Sequence, residues 1–181
     1  MTAPCANLTV LVGQRFACVR ITGRANFNAS VNFKTLLHEL QQQGYPYIVL
    51  ELSECALMDS TFLGVLAGFG LKANAPPGDC TAHAIELRNA IELRNANERI
   101  IELLENLGVL YLFKTAQGRV LPNGVQESLT PCVTAASKED ITRACLEAHQ
   151  TLMDINPENV ARFKDVTKFL AEDLEKLRAK Q

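Results

Sequence analysis

Tyr47-Ile48-Val49-Leu50-Glu51-Leu52-Ser53-Glu54-Cys55-Ala56-Leu57-Met58-Asp59-Ser60-Thr61-Phe62-Leu63-Gly64-Val65-Leu66 is the stretch that decides the fold. Tyr47 to Leu52 is a nearly continuous apolar run of strand length, the pattern of a strand covered on both faces and therefore central in its sheet. Met58-Asp59-Ser60 leads into an apolar segment from about Thr61 to Ala73, which reads as a helix ended by the breaker Pro76-Pro77-Gly78. Ser60 is thus expected at a strand-to-helix junction, capping the helix. Unpaired backbone N–H groups and the positive end of the helix dipole would tolerate a phosphate there.

Upstream, Leu8 to Val12 and Phe16 to Thr22 are apolar, β-branched runs separated by Gly13-Gln14-Arg15, a hairpin signal. Ser30 then precedes Phe33, Leu36, Leu37 and Leu40, spaced as one face of a helix that Gly44 and Pro46 close. Downstream, residues 80 to 95 read as strand material. Within them Ala-Ile-Glu-Leu-Arg-Asn occurs twice in succession, at 84 to 89 and 90 to 95. Because six is even, a slip by one copy keeps every side chain on its own face of a strand. The second copy is expected in the sheet, with the first extruded as a loop or helical extension. Asn97 can cap a helix whose Ile100, Leu103, Leu104 and Leu107 share a face and which Gly108 stops, and Val109 to Phe113 reads as a last short strand. Alternating strands and helices predict an α/β sheet with helices packed on it.

From Lys114 to Pro131 the chain is polar and rich in turn residues. The expected division is therefore a domain over 1–115, a linker over 116–136 and a two-helix extension over 137–181. Ser137-Lys138-Glu139-Asp140 matches a helix-start capping pattern, with Ile141, Cys145, Ala148, Leu152 and Ile155 following at helical spacing. Asn156-Pro157 restarts a helix in which Val160, Phe163, Thr167, Leu170, Leu174 and Leu177 form a seam. About three heptads do not stand alone, so the seam should pack on the chain's own domain or join two copies as a homodimer.

The formal net charge is −2, from 18 basic and 20 acidic residues, which supplies no field to draw in nucleic acid or an anionic membrane. No segment reaches ~18 uninterrupted apolar residues and the N-terminus lacks a signal-peptide pattern, so a cytoplasmic location is expected. Six scattered cysteines form no Cys-x-x-Cys pair and read as buried or idle thiols. His38, His83 and His149 have no partners at metal spacing and are expected on the surface, so no metal or other cofactor is anticipated. Gly64, Ala67 and Gly68 read as a close-packing face, since no Gly-x-x-x-x-Gly-Lys-[Ser/Thr] loop is present. A serine-nucleophile elbow is lacking as well, and the chain does not read as an enzyme.

Tyr47 to Leu66 resembles the signature of the STAS domain, named for sulfate transporters and anti-sigma factor antagonists. Ile21-Thr22-Gly23 and Glu102-Leu103-Leu104-Glu105-Asn106-Leu107-Gly108-Val109 fall where that family has similar features, so the resemblance spans roughly residues 8 to 115. It implies a sheet of about four or five strands, helices mainly on one side, and action through protein contacts rather than catalysis. In the antagonist branch an Asp-Ser-[Ser/Thr]-Gly segment carries the serine that a partner kinase phosphorylates. Asp59, Ser60 and Thr61 match it, while Phe62 stands where Gly is usual. The resemblance implies Ser60 as phosphoacceptor and Asp59, Ser60, Thr61, Phe62, Leu63 and Gly64 as the partner surface. An anti-sigma factor or serine protein kinase would be the partner, in a bacterial switch that regulates transcription. A scaffold or small-ligand-sensing module that is not phosphorylated is the alternative it leaves.

Overall fold

In the computed structural model, residues 6–13, 15–74, 90–119, 126–128 and 135–179 are described. Strand β1 (Asn7–Val12) pairs antiparallel with β2 (Phe16–Ala25), forming the expected hairpin. β3 (Tyr47–Glu51) lies parallel to β2, and β5 (Ala90–Arg94) lies parallel to β3. The apolar run at Tyr47 is therefore interior to the sheet. Its alternate residues serve two faces. Ile48 and Leu50 point into the main core with Val19, Ile21, Ile91 and Leu93, whereas Val49 joins Leu11 and Cys18 in a small cluster on the other face.

β6 (Lys114–Ala116) and β7 (Gln126–Ser128) extend the sheet at its two edges, giving the order β6-β5-β3-β2-β1-β7. β7 pairs antiparallel with β1, so part of the segment expected to act as a linker belongs to the sheet. β4 (Cys55–Met58), which periodicity did not single out, pairs parallel with the far half of β2. The two halves of β2 can serve different neighbours because the strand shifts register between Gly23 and Arg24, where Gly23 has φ of 84°.

Helices α1 (Phe27–Gln42), α2 (Ser60–Asn74) and α3 (Glu98–Asn106) pack through Phe33, Leu37, Phe62, Leu66, Ile100 and Leu104 into the main core. Asn26, not Ser30, caps α1, its side chain accepting from the Asn28 N–H. Ser30 is buried one turn further on and donates to the Phe27 carbonyl at 2.6 Å. Asn97 caps α3 as expected, and Gly108 ends it with φ of 70°. Leu110–Leu112 form a 3₁₀ turn instead of a strand, since β6 begins only at Lys114.

β5 is the second copy of the duplicated hexapeptide; the first lies outside the described residues. The junction after the strand favours that copy. Asn95, at φ of 56°, donates to both Glu51 oxygens at 3.0 Å, and the Asn97 amide donates to the Cys55 carbonyl at 2.9 Å. A slip by six residues would preserve strand faces but draw Asn97 and the start of α3 away from β4.

α4 (Lys138–Ile155) and α5 (Glu158–Arg178) form an antiparallel hairpin, clasped by Lys138–Asp173 and Arg178–Glu139 ion pairs at 3.5 Å. Ser137 caps α4 by accepting from the Asp140 N–H. α4 packs on α1, α2 and α5. The expected α5 seam holds for Thr167 and Leu174, which are buried, and for half-buried Phe163, Leu170 and Leu177. Val160 departs from it and is exposed; buried Asn159 takes the inward position, donating to the Leu107 and Leu152 carbonyls at 2.9 Å.

Candidate functional site

β4 delivers the chain to α2 through Asp59, and that residue caps the helix in place of the expected Ser60. Its Oδ1 accepts from the Phe62 N–H at 2.9 Å, and its carbonyl accepts the first helical bond from Leu63. Asp59 Oδ2 accepts from the Phe27 N–H at 2.7 Å, so one carboxylate serves the first turns of both α1 and α2. Ser60 is the first helical residue and half-buried.

Ser60 does not lie freely on the outside of a two-layer domain, because α4 lies against it and covers part of it. Its Oγ stands 2.9 Å from His149 Nε2. His149 Nδ1 lies 2.8 Å from the Cys145 carbonyl, which can only accept. Nδ1 must therefore carry the proton, Nε2 accepts, and the Ser60 hydroxyl donates. The expected surface position of His149 is thus corrected: the residue is 6% exposed, its ring set between Ser60 of α2 and the Phe163 ring of α5, whose centroid is 4.7 Å away. Burial pushes its pKa below the usual 6.5, opposed by the Cys145 carbonyl and the Asp59 charge.

The remaining expected surface residues divide between two faces. Thr61 and Gly64 lie with Ser60 beneath α4. The Thr61 hydroxyl donates to Cys145 Sγ at 3.6 Å, and a Cβ built on Gly64 would come within 2.5 Å of the Ala148 carbonyl oxygen. Phe62 and Leu63 instead face the core and are fully buried, which removes them from the expected contact surface. The Phe62 ring stacks on Phe33 with centroids 4.3 Å apart and fills the space between α2 and α1 that a glycine would leave empty. The reading of Gly64 as a packing residue holds, and its partner is the α4 backbone.

A second feature adjoins this contact. A cleft of about 170 Å³ opens between α1, α2 and α4, lined among others by Lys34, His38, Lys72 and Glu147. Lys34 Nζ bridges to Glu147 at 2.5 Å and so ties α1 to α4. Cys18 and Cys55 are buried and Cys145 is half-buried, each as a free thiol, and burial pushes the first two up to about 11. Cys5, Cys80, Cys132 and His83 lie outside the described residues. Among the described residues, no group of three or more His, Cys, Asp or Glu side chains could hold a metal ion, and no helix is long and apolar enough to cross a membrane.

His149 is the site residue that pattern reading passed over. A signal was present, since it falls four residues after Cys145 and beside Ala148, on the apolar stripe that predicted α4.

The arrangement is a STAS-like α/β fold, with a helical hairpin seated over the start of α2. Among solved structures it is similar to a protein assigned as an anti-sigma factor antagonist from Thermotoga maritima, at 18% identity and a TM-score of 0.50, covering 61% of this chain and 86% of that one. The anti-sigma factor antagonist SpoIIAA also matches, in its unphosphorylated form at 17% identity and a TM-score of 0.46, covering 61% of this chain and 87% of that one. The phosphorylated form of SpoIIAA, a Bacillus cell fate determinant, matches at 16% identity and a TM-score of 0.43, covering 61% and 90%. No protein-family model and no curated protein matches the sequence.

Proposed function

We propose that the chain is a cytoplasmic anti-sigma factor antagonist, which binds an anti-sigma factor or serine protein kinase in a phosphorylation-controlled switch regulating transcription. Ser60 is the phosphoacceptor, and Asp59, Ser60, Thr61 and Gly64 lie at the contact surface. The observation that carries this reading is the position of Ser60: first residue of α2, directly after the Asp59 cap, in a STAS-like fold. The kinase transfers the γ-phosphoryl group of ATP to Oγ. The P–O bond to ADP breaks, the P–Oγ bond forms, and the hydroxyl proton leaves to a base of the kinase. The product carries about −1.5 to −2 charges at pH 7 beside Asp59. That charge repels acidic partner groups and is costly to desolvate, so binding weakens while the fold persists.

The Ser60–His149 pair has the spacing of a nucleophile and its base, yet the imidazole is held by a carbonyl of its own helix and enclosed against Phe163. We read it as a closure contact rather than a catalytic dyad. The cleft beside Lys34, His38 and Lys72 favours one other reading, a small-ligand-sensing module in which Ser60 stays unmodified.

Phosphosite mapping after incubation with the cognate kinase and ATP, followed by pull-down, separates the two. Ser60 should be modified, Ser60→Ala should bind the kinase constitutively, and Ser60→Asp should bind poorly despite a native-like melting curve. An unmodified Ser60, or a folded Asp variant that binds as tightly as wild type, rejects the switch.

A further inference from the structure

We propose that the α4–α5 hairpin is the resident occupant of the docking face of α2, so that docked α4 and a phosphate on Ser60, or a partner on that face, exclude each other. The inference rests on the reading of Ser60 as the modified residue and adds a layer of control within the same chain.

Contact geometry leaves no room for both. The 2.9 Å between Ser60 Oγ and His149 Nε2 holds one hydrogen. A phosphoryl group would replace that hydrogen with a phosphorus and three oxygens. The neutral ring, its Nδ1 proton already given to the Cys145 carbonyl, would present a lone pair to them. Thr61 against Cys145 and Gly64 against Ala148 hold α4 so close to α2 that a single methyl group on Gly64 would not fit. Accommodating the phosphate therefore requires displacing the helix.

Displacement is feasible at the Ser60 contact because the α4 side chains that meet Thr61 and Gly64, Cys145 and Ala148, are small. Cys145 and Ala148 bury far less apolar surface than the Phe33, Phe62 and Leu66 core beneath. Leu152, one turn further along α4, is fully buried in the main core, so the opening is confined to the part of α4 that covers Ser60. Linkage is reciprocal: the factor by which a partner bound on this face disfavours docking of the hairpin is the factor by which the docked hairpin lowers that partner's affinity.

Cys145 provides the readout. In full-length protein with phosphoserine installed at position 60, the rate of Cys145 alkylation by N-ethylmaleimide, mapped by peptide, should rise by roughly tenfold or more. Cys55 in β4 should stay protected, and hydrogen exchange should quicken across α4 but not β3. Gly64→Ala should produce the same pattern without any phosphate. The inference is overturned if the phosphoserine protein labels Cys145 at the wild-type rate, or if Cys55 is exposed in parallel, which marks global unfolding. No kinase enters this test, so its failure is distinct from a kinase's failure to modify Ser60.

Discussion

Asp59 is the residue on which the site turns. Its two carboxylate oxygens serve two helix starts, so its removal acts on both at once. A lost N-cap costs about 0.5–2 kcal/mol, and Asp59→Ala should lower unfolding stability by roughly 2 kcal/mol in urea titration. Asp59→Asn keeps one acceptor oxygen and turns an N–H₂ toward the other donor, so it should fall between the two. Equal stability of all three proteins would refute the double cap. The bond to Phe27 was not legible in the sequence, because Asp59 and Phe27 are 32 residues apart and only folding brings them together. The helix-start reading put Ser60 at the beginning of α2 but assigned it the cap, since Asp and Ser are both good caps and adjacent.

At the scale of elements, strands and helices with strong periodicity were legible: the Tyr47 strand, the helix at Phe33, the Asn97-capped helix and both C-terminal helices. Short elements were not. β4 has four residues and β6 three, too few for an alternation to declare itself, and both exist because a neighbouring strand offers an unpaired edge. Hydrophobic spacing located the α5 seam but placed Val160 on it; Asn159 faces inward instead, its amide adding a second donor to the Leu107 and Leu152 carbonyls that also accept from Asn156. Asn159→Ala would leave both carbonyls without that donor. It should cost about 1–3 kcal/mol and quicken hydrogen exchange at the α4–α5 turn before the sheet. Unchanged exchange at that turn would show that Asn159 does not anchor the hairpin.

For the whole molecule, docking of the hairpin should depend on pH through His149. The groups that face it are Ser60 and Asp59 from α2, Cys145 from α4 and Phe163 from α5. Since its folded pKa lies below the unfolded 6.5, the neutral form is the one the fold keeps. The contribution to stability is complete above about pH 6.5 and declines as pH falls through the folded value. His38 is shifted in the same direction, by burial first and then by Lys72 and Lys34, and adds to the slope. Urea midpoints measured from about pH 8 down to pH 5 should fall for wild type and fall less steeply for His149→Gln. Identical slopes would remove His149 from the account. The covered Ser60 also bears on how partners are met. A tethered helix acts as a competitor at an effective concentration that can reach the millimolar range, independent of how much protein the cell makes. A partner's apparent affinity is its intrinsic affinity multiplied by the fraction of open molecules, so dilution or overexpression would leave the threshold for engagement unchanged. That threshold is encoded in the contacts between α2 and α4, and substitutions on the α4 side, at Cys145, Ala148 or His149, can tune it without touching a residue that the partner reads.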